Sequence, residues 1–146
     1  MSSYIHKSHN VTLIMYHIVC PVKYRQMAIN EEIDRTLKEI CLELEIRYEI
    51  YFLEIGTDKD HAHFLIQTVP SYSPSEIVRI IKGTTGREIF KRCPEVKEYL
   101  WKGQFWTDGY FLGTVGKHTN EEAIAEYVKS QGKPENKYNQ LYLNLE

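Results

Sequence analysis

Two histidines one residue apart, His61 and His63, and a tyrosine and glutamine four apart, Tyr127 and Gln131, are the residues of this chain with the most chemistry in their spacing. Side chains alternate along a β-strand, so His61 and His63 share a face if they lie on one. Residues i and i+4 share a helix face, so Tyr127 and Gln131 do too. Together the two faces surround one phenol with two imidazoles and an amide oxygen. Neutral imidazole accepts a divalent ion readily, the amide oxygen of Gln131 is a harder ligand, and such a set leaves positions open for water and a phosphate oxygen. Mg²⁺ or Mn²⁺ there would polarise a phosphoryl group and offset charge in the transition state. The Tyr127 hydroxyl, with an ordinary pKa of about 10, needs a base or a nearby cation to act as a nucleophile. Its attack on a phosphodiester would give a tyrosyl ester that conserves the bond energy. A 3′-hydroxyl could then reseal that ester, a logic suited to strand exchange more than to hydrolysis. A histidine-triad nucleotide hydrolase would want a third histidine where Leu65 stands. Each pair alone has a plainer reading, as solvated or core residues; only the combination points to a site.

The elements that must position these groups are legible from pattern. Val11 to Cys20 is rich in β-branched and aromatic residues and reads as a strand closed by Pro21. Asn30 is a plausible N-cap, and Ile33, Leu37, Ile40, Cys41 and Leu44 recur with helical spacing. Tyr48 to Ile55 reads as a strand, Gly56 to Asp60 as a turn, and His61 to Val69 as the returning strand of a hairpin. Ser73-Pro74-Ser75-Glu76 has capping-box spacing with proline at the first helical position. That helix runs towards Lys82, where Gly83 is expected to end or bend it, with a further helical piece over Arg87 to Lys91. Tyr110 to Val115 is a fourth strand, broken by Gly116, a candidate hinge. Thr119 and Glu122 open a last helix carrying Tyr127 and Gln131, stopped by Gly132 and Pro134. The order predicts an α+β fold, a ferredoxin-like or RRM-like β-α-β-β-α-β unit with a four-stranded antiparallel sheet, plus a C-terminal helix that carries the nucleophile. The expected organisation is a single domain over 1–146, with 119–131 a mobile catalytic helix and 132–146 a tail whose alternating leucines could add an edge strand or grip a partner.

The chain has 146 residues, the size of one ordinary domain. No stretch approaches 18 apolar residues, and the first ten residues lack a signal-peptide core, so a cytoplasmic location and no membrane association are expected. Cys20, Cys41 and Cys93 are too scattered for a disulfide framework and read as buried thiols. The net charge of −2 conceals an asymmetry: residues 31–54 carry eight acids and three bases, residues 79–92 five bases and one acid. Arg79, Lys82, Arg87, Lys91 and Arg92 form a basic stripe that could contact phosphates, or simply a solvated helix face.

Several segments in order carry a family resemblance: Tyr16-His17-Ile18-Val19, Lys23-Tyr24-Arg25, Asp60-His61-Ala62-His63-Phe64-Leu65, Ile80-Ile81-Lys82-Gly83, Leu100-Trp101, Phe105-Trp106-Thr107-Asp108-Gly109-Tyr110-Phe111, Thr114-Val115-Gly116 and Tyr127-Val128-Lys129-Ser130-Gln131. Together they resemble the small single-tyrosine HUH transposases of bacterial and archaeal insertion sequences that move as single-stranded DNA. Ala62 is smaller than the family's usual middle residue. The resemblance implies that His61, His63 and Gln131 hold the metal, Mg²⁺ or Mn²⁺, and that Tyr127 forms a 5′-phosphotyrosine. It implies a homodimer whose sheets join and whose catalytic sites are shared between subunits. The partner is single-stranded DNA with hairpins at element ends, and no nucleotide cofactor is needed; the setting is the bacterial or archaeal nucleoid.

In that light Arg79, Lys82, Arg87, Lys91 and Arg92, joined by Lys23 and Arg25, are candidates for hairpin contacts. Trp101, Phe105, Trp106 and Tyr110 are candidates for base stacking, with Trp106 and Phe111 weighted to core or dimer interface. Two alternatives stay open: a related HUH nickase acting on repeated palindromes, and a non-catalytic single-strand nucleic-acid-binding module.

Overall fold

A computed structural model describes residues 3–98, 100 and 103–115. The expected helix 119–131 with Tyr127 and Gln131, the hinge at Gly116, the tail 132–146 and Trp101 lie outside the described residues.

Strands β1 (Ile5–His6) and β2 (Val11–Thr12) pair as a small hairpin. Then come β3 (Ile14–Pro21), α1 (Glu31–Arg47), β4 (Ile50–Asp58), β5 (His61–Thr68), α2 (Pro74–Arg92) and β6 (Phe111–Val115). The main sheet has the order β4-β5-β3-β6 with every neighbour antiparallel. This is the split β-α-β arrangement that the pattern predicted, with both helices on one face. The continuous strand expected over Val11–Cys20 is in fact divided. Its first two residues serve the small hairpin, and the central strand begins at Ile14.

Local chemistry explains where the helices begin. Asn30 caps α1, its side-chain oxygen accepting from Ile33 N at 2.8 Å. Ser73 and Glu76 form a reciprocal capping box at α2, with Pro74 at the first turn. Gly83 does not end α2, which continues unbroken to Arg92. A helical glycine costs roughly 1 kcal/mol relative to alanine. Burial of Ile77, Ile81, Ile89 and Phe90 on either side of it outweighs that penalty.

Alternation then sorts the sheet into two faces. Tyr16, Ile18 and Cys20 of β3 and Ala62, Phe64 and Ile66 of β5 pack under α1 and α2 in the main core. All three cysteines are buried there and free. Met15, His17 and Val19 of β3 and His61, His63, Leu65 and Gln67 of β5 alternate with these residues and so belong to the other face. Phe105 and Trp106, offered above as base-stacking candidates, are core residues at 1% and 5% exposure. The Trp106 indole N–H donates to Thr85 Oγ1 on α2 at 2.8 Å.

Candidate active site

The cross-strand register puts the two histidines at one end of the sheet face opposite α1 and α2. Pro21 on β3 and Asp58 on β4 flank His61, and Val19 and Gly56 flank His63. The two imidazole centroids lie 5.7 Å apart, and both side chains are buried. The expected turn over Gly56–Asp60 is shorter than read: β4 runs to Asp58, and only Lys59 and Asp60 link the strands. Gly56 is therefore a strand residue. A Cβ there would sit 2.0 Å from His63 Cε1 and 2.6 Å from Nδ1, so the absent side chain is what lets the ring lie across β4.

Asp60 orients the first histidine. Its Oδ1 lies 2.9 Å from His61 Nδ1. An ionised carboxylate only accepts, so Nδ1 carries a proton, and in the neutral ring the lone pair falls on Nε2. Asp60 Oδ2 accepts from Arg25 Nε at 3.1 Å and Nη2 at 2.8 Å. Burial alone would raise the Asp60 carboxyl pKa, but hydrogen bonds from His61 and Arg25 and the Arg25 charge hold it below the ordinary value. His61 Nε2 and His63 Nδ1 are buried with no hydrogen-bond partner among the described residues. Two buried imidazoles with idle nitrogens, one fixed in tautomer by a carboxylate, are a donor set that fits a divalent cation.

A third imidazole shares this face. His17 pairs with Leu65 across β3 and β5, is fully buried, and meets Phe111 edge-on at 6.0 Å. Burial lowers the His17 pKa to about 4; burial, with the nearby His61 and His17, lowers that of His63 to about 3. An unfolded histidine titrates near 6.5. As pH falls below that value the unfolded chain takes up protons that these two folded histidines refuse. Their stabilisation is therefore complete above about pH 6.5 and is lost as pH falls towards 4. Thermal melts of the metal-free chain are expected to lose a few kcal/mol between pH 7.5 and pH 4.5. His63→Asn should flatten part of that slope, whereas equal slopes in the two proteins would count against a neutral buried His63.

The basic candidates occupy different environments. Arg25 is committed to Asp60, and Arg92 to Glu43 and Glu88. Lys82 Nζ donates to the carbonyls of Thr107 and Asp108 at 2.7 and 3.0 Å, pinning the loop before β6. Lys23 Nζ donates to Gln104 Oε1 at 2.6 Å. Arg79, Arg87 and Lys91 are exposed on α2 and form no ion pair among the described residues. Arg87 and Lys91 line a groove of about 660 Å³ between α2 and residues 103–108. Lys97 lines it too. Sequence reading missed Lys97 because it lies outside the basic stripe. A separate trio, Glu32, Cys93 and Glu95, brings three donor atoms within 4.8 Å of one another on the helical side. There the hydrogen bond and charge contact with Glu95 raise the Glu32 carboxyl pKa above its ordinary value.

The chain is thus an α+β domain with a four-stranded antiparallel sheet and a buried histidine pair on the face opposite α1 and α2. Residues 10–131 match the family described as "Transposase IS200 like". The ISDra2 transposase TnpA of Deinococcus radiodurans is 30% identical over 116 residues, spanning 80% of this chain and 82% of that protein. The transposase for insertion sequence element IS200 of Salmonella typhimurium is 32% identical over 116 residues, 80% of this chain and 75% of that protein. A crystal structure of a Deinococcus radiodurans protein assigned as a transposase superposes with TM-score 0.71 at 25% identity, covering 89% of this chain and 99% of that one. A REP-associated tyrosine transposase bound to a REP hairpin shares the fold, with TM-score 0.53 at 10% identity, covering 88% and 68%. The chain belongs to the IS200-like, single-tyrosine HUH transposase family and is a DNA transposase. No helix among the described residues is long and apolar enough to cross a membrane.

Proposed function

We propose that this transposase cuts and rejoins single-stranded DNA at hairpin-marked element ends through a 5′-phosphotyrosine on Tyr127, with a divalent metal held by His61, His63 and Gln131. The observation that carries this reading is the pair of buried imidazoles with idle nitrogens, one oriented by Asp60. Mg²⁺ or Mn²⁺ bound there supplies Lewis-acid polarisation of the scissile phosphate. His63, its pKa lowered by burial, is a neutral donor at neutral pH, and the Asp60 carboxylate orients the His61 ring. The Tyr127 oxygen attacks phosphorus, the P–O3′ bond breaks, and the released 3′-oxygen takes up a proton. A second 3′-hydroxyl reverses these steps on the phosphotyrosine and reseals the strand. One phosphodiester-type bond replaces another, so no energy cofactor is required.

The active unit is a homodimer in which Tyr127 of one subunit completes the metal site of the other. Hairpin DNA lies along the basic groove of α2, with Arg87, Lys91 and Lys97 on its phosphates and Arg79 further along the helix. The REP hairpin of the structural neighbour supports a hairpin ligand. That neighbour also keeps a second reading in view, a nickase of dispersed palindromes. The 30–32% identity to insertion-sequence transposases favours the first.

The test is a denaturing-gel assay with single-stranded DNA from the element's own ends. A metal-dependent covalent adduct on the 5′ side of the break, absent with duplex DNA, is the expected result. Tight hairpin binding without any adduct would leave only a binding module. Within this scheme Asp60→Asn removes the carboxylate that fixes His61, and Mn²⁺ affinity is expected to fall about 10- to 100-fold. Unchanged Mn²⁺ affinity in calorimetry would remove Asp60 from the site.

A further inference from the structure

The segment joining β3 to α1 holds two consecutive non-glycine residues in the left-handed region, Tyr24 at φ 57° and Arg25 at φ 53°. That conformation costs roughly 1–2 kcal/mol per residue. Such strain persists only where the surroundings over-determine it, and it clusters at ligand-binding sites. Here the constraints can be named. Val22 N donates to Asp60 O, Lys23 N to Phe105 O, and Arg25 N to Val22 O, each at 2.8 Å. The Arg25 side chain closes the clamp on Asp60.

The strained tripeptide therefore shares its anchor with His61. What it presents is an aromatic ring: Tyr24 is 61% exposed, although aromatic bodies ordinarily seek burial. Lys23 Nζ lies 5.4 Å from the Tyr24 ring centroid, and its hydrogen bond to Gln104 holds it there. By contrast, the aromatic pair Phe105 and Trp106 is spent in the core.

We propose that Tyr24 is a stacking platform for an unpaired nucleobase of the DNA strand entering the His61–His63 site, with Lys23 beside it for the adjoining phosphate. An exposed ring next to a cation is the arrangement that recognises single strands regardless of sequence, because every base offers a π-face. The inference rests on the single-strand transposase reading above, which supplies the strand.

The test uses the full chain and single-stranded oligonucleotides carrying 2-aminopurine at successive positions, whose fluorescence is quenched by stacking. Tyr24→Trp should retain the quench at one position. Tyr24→Gly should abolish it and weaken oligonucleotide binding about 10-fold, within the range for loss of one stacked base. Glycine also relieves the left-handed strain, so the Tm of that variant should hold or rise by a few degrees. A purely structural tyrosine predicts the opposite pattern, lower Tm with unchanged quenching, and that result overturns the proposal. Mn²⁺ affinity should be the same in all three proteins. A wild-type chain that fails to bind any single-stranded oligonucleotide would sink the transposase reading as well. Normal binding with undiminished quenching in Tyr24→Gly would sink the stacking platform alone.

Discussion

Tyr127→Phe is expected to abolish covalent attachment to DNA while hairpin affinity stays within about twofold of the unsubstituted chain. Phenylalanine keeps the ring and removes the one oxygen that could become ester-linked to phosphorus. A nucleophile has no substitute within the same step, so the adduct should fall by at least about 10³-fold. On the proposed reading, binding energy comes mainly from phosphate contacts elsewhere, so the two readouts should separate. The measurement is adduct yield on a denaturing gel beside a native gel shift at fixed salt. If the Phe variant still formed an adduct, a different residue would be the nucleophile and the role given to Tyr127 would be withdrawn.

The second large effect is expected from the smallest change. In Gly56→Ala, one methyl group would occupy space 2.0 Å from His63 Cε1 and 3.0 Å from its Nε2. The atoms opposite belong to a rigid, buried ring, so the imidazole must rotate away or β4 must separate from β5. Either movement takes a proposed metal donor off its line, and Mn²⁺ affinity should fall about 100-fold, comparable to His63→Ala. Gly83 offers a control within the same chain. Nothing lies within 4 Å of the Cβ that alanine would add there, so Gly83→Ala should leave Mn²⁺ affinity unchanged. Paramagnetic resonance of free Mn²⁺ measures the affinity, and circular dichroism shows that the sheet is intact. Wild-type affinity in folded Gly56→Ala would mean that His63 is not a ligand in its observed rotamer.

The features legible from sequence were those encoded within a few residues of one another. The shared face of His61 and His63 follows from alternation alone, and the structure keeps both side chains on the face opposite α1 and α2. The cap at Asn30 and the capping box at Ser73–Glu76 likewise depend on spacings of three residues. Misreadings arose where a residue's local habit competed with a distant partner. Gly56 has a turn-former's habit, but His63 across the hairpin decided its use. Gly83 has a helix-stopper's habit, but the core beneath α2 carried the helix on to Arg92. Lys82 and Arg92, which the sequence offers as phosphate contacts or part of a solvated helix face, are engaged by loop carbonyls and by two glutamates.

Residue pattern alone is enough for the antiparallel α+β class, the starts of α1 and α2, the pairing of two histidines on one face and, through its match over residues 10–131, the transposase family. Which groups surround those histidines depends on contacts between distant segments. Arg25 reaches Asp60 across 35 positions, and Lys23 reaches Gln104 across 81. The physical reason is register. Strand alternation is a property of one segment, whereas the neighbours of a side chain on a sheet are set by how three segments slide against each other. That sliding is governed by the packing of Phe64, Ile66 and Ile18 on the opposite face of the sheet from the chemistry it positions.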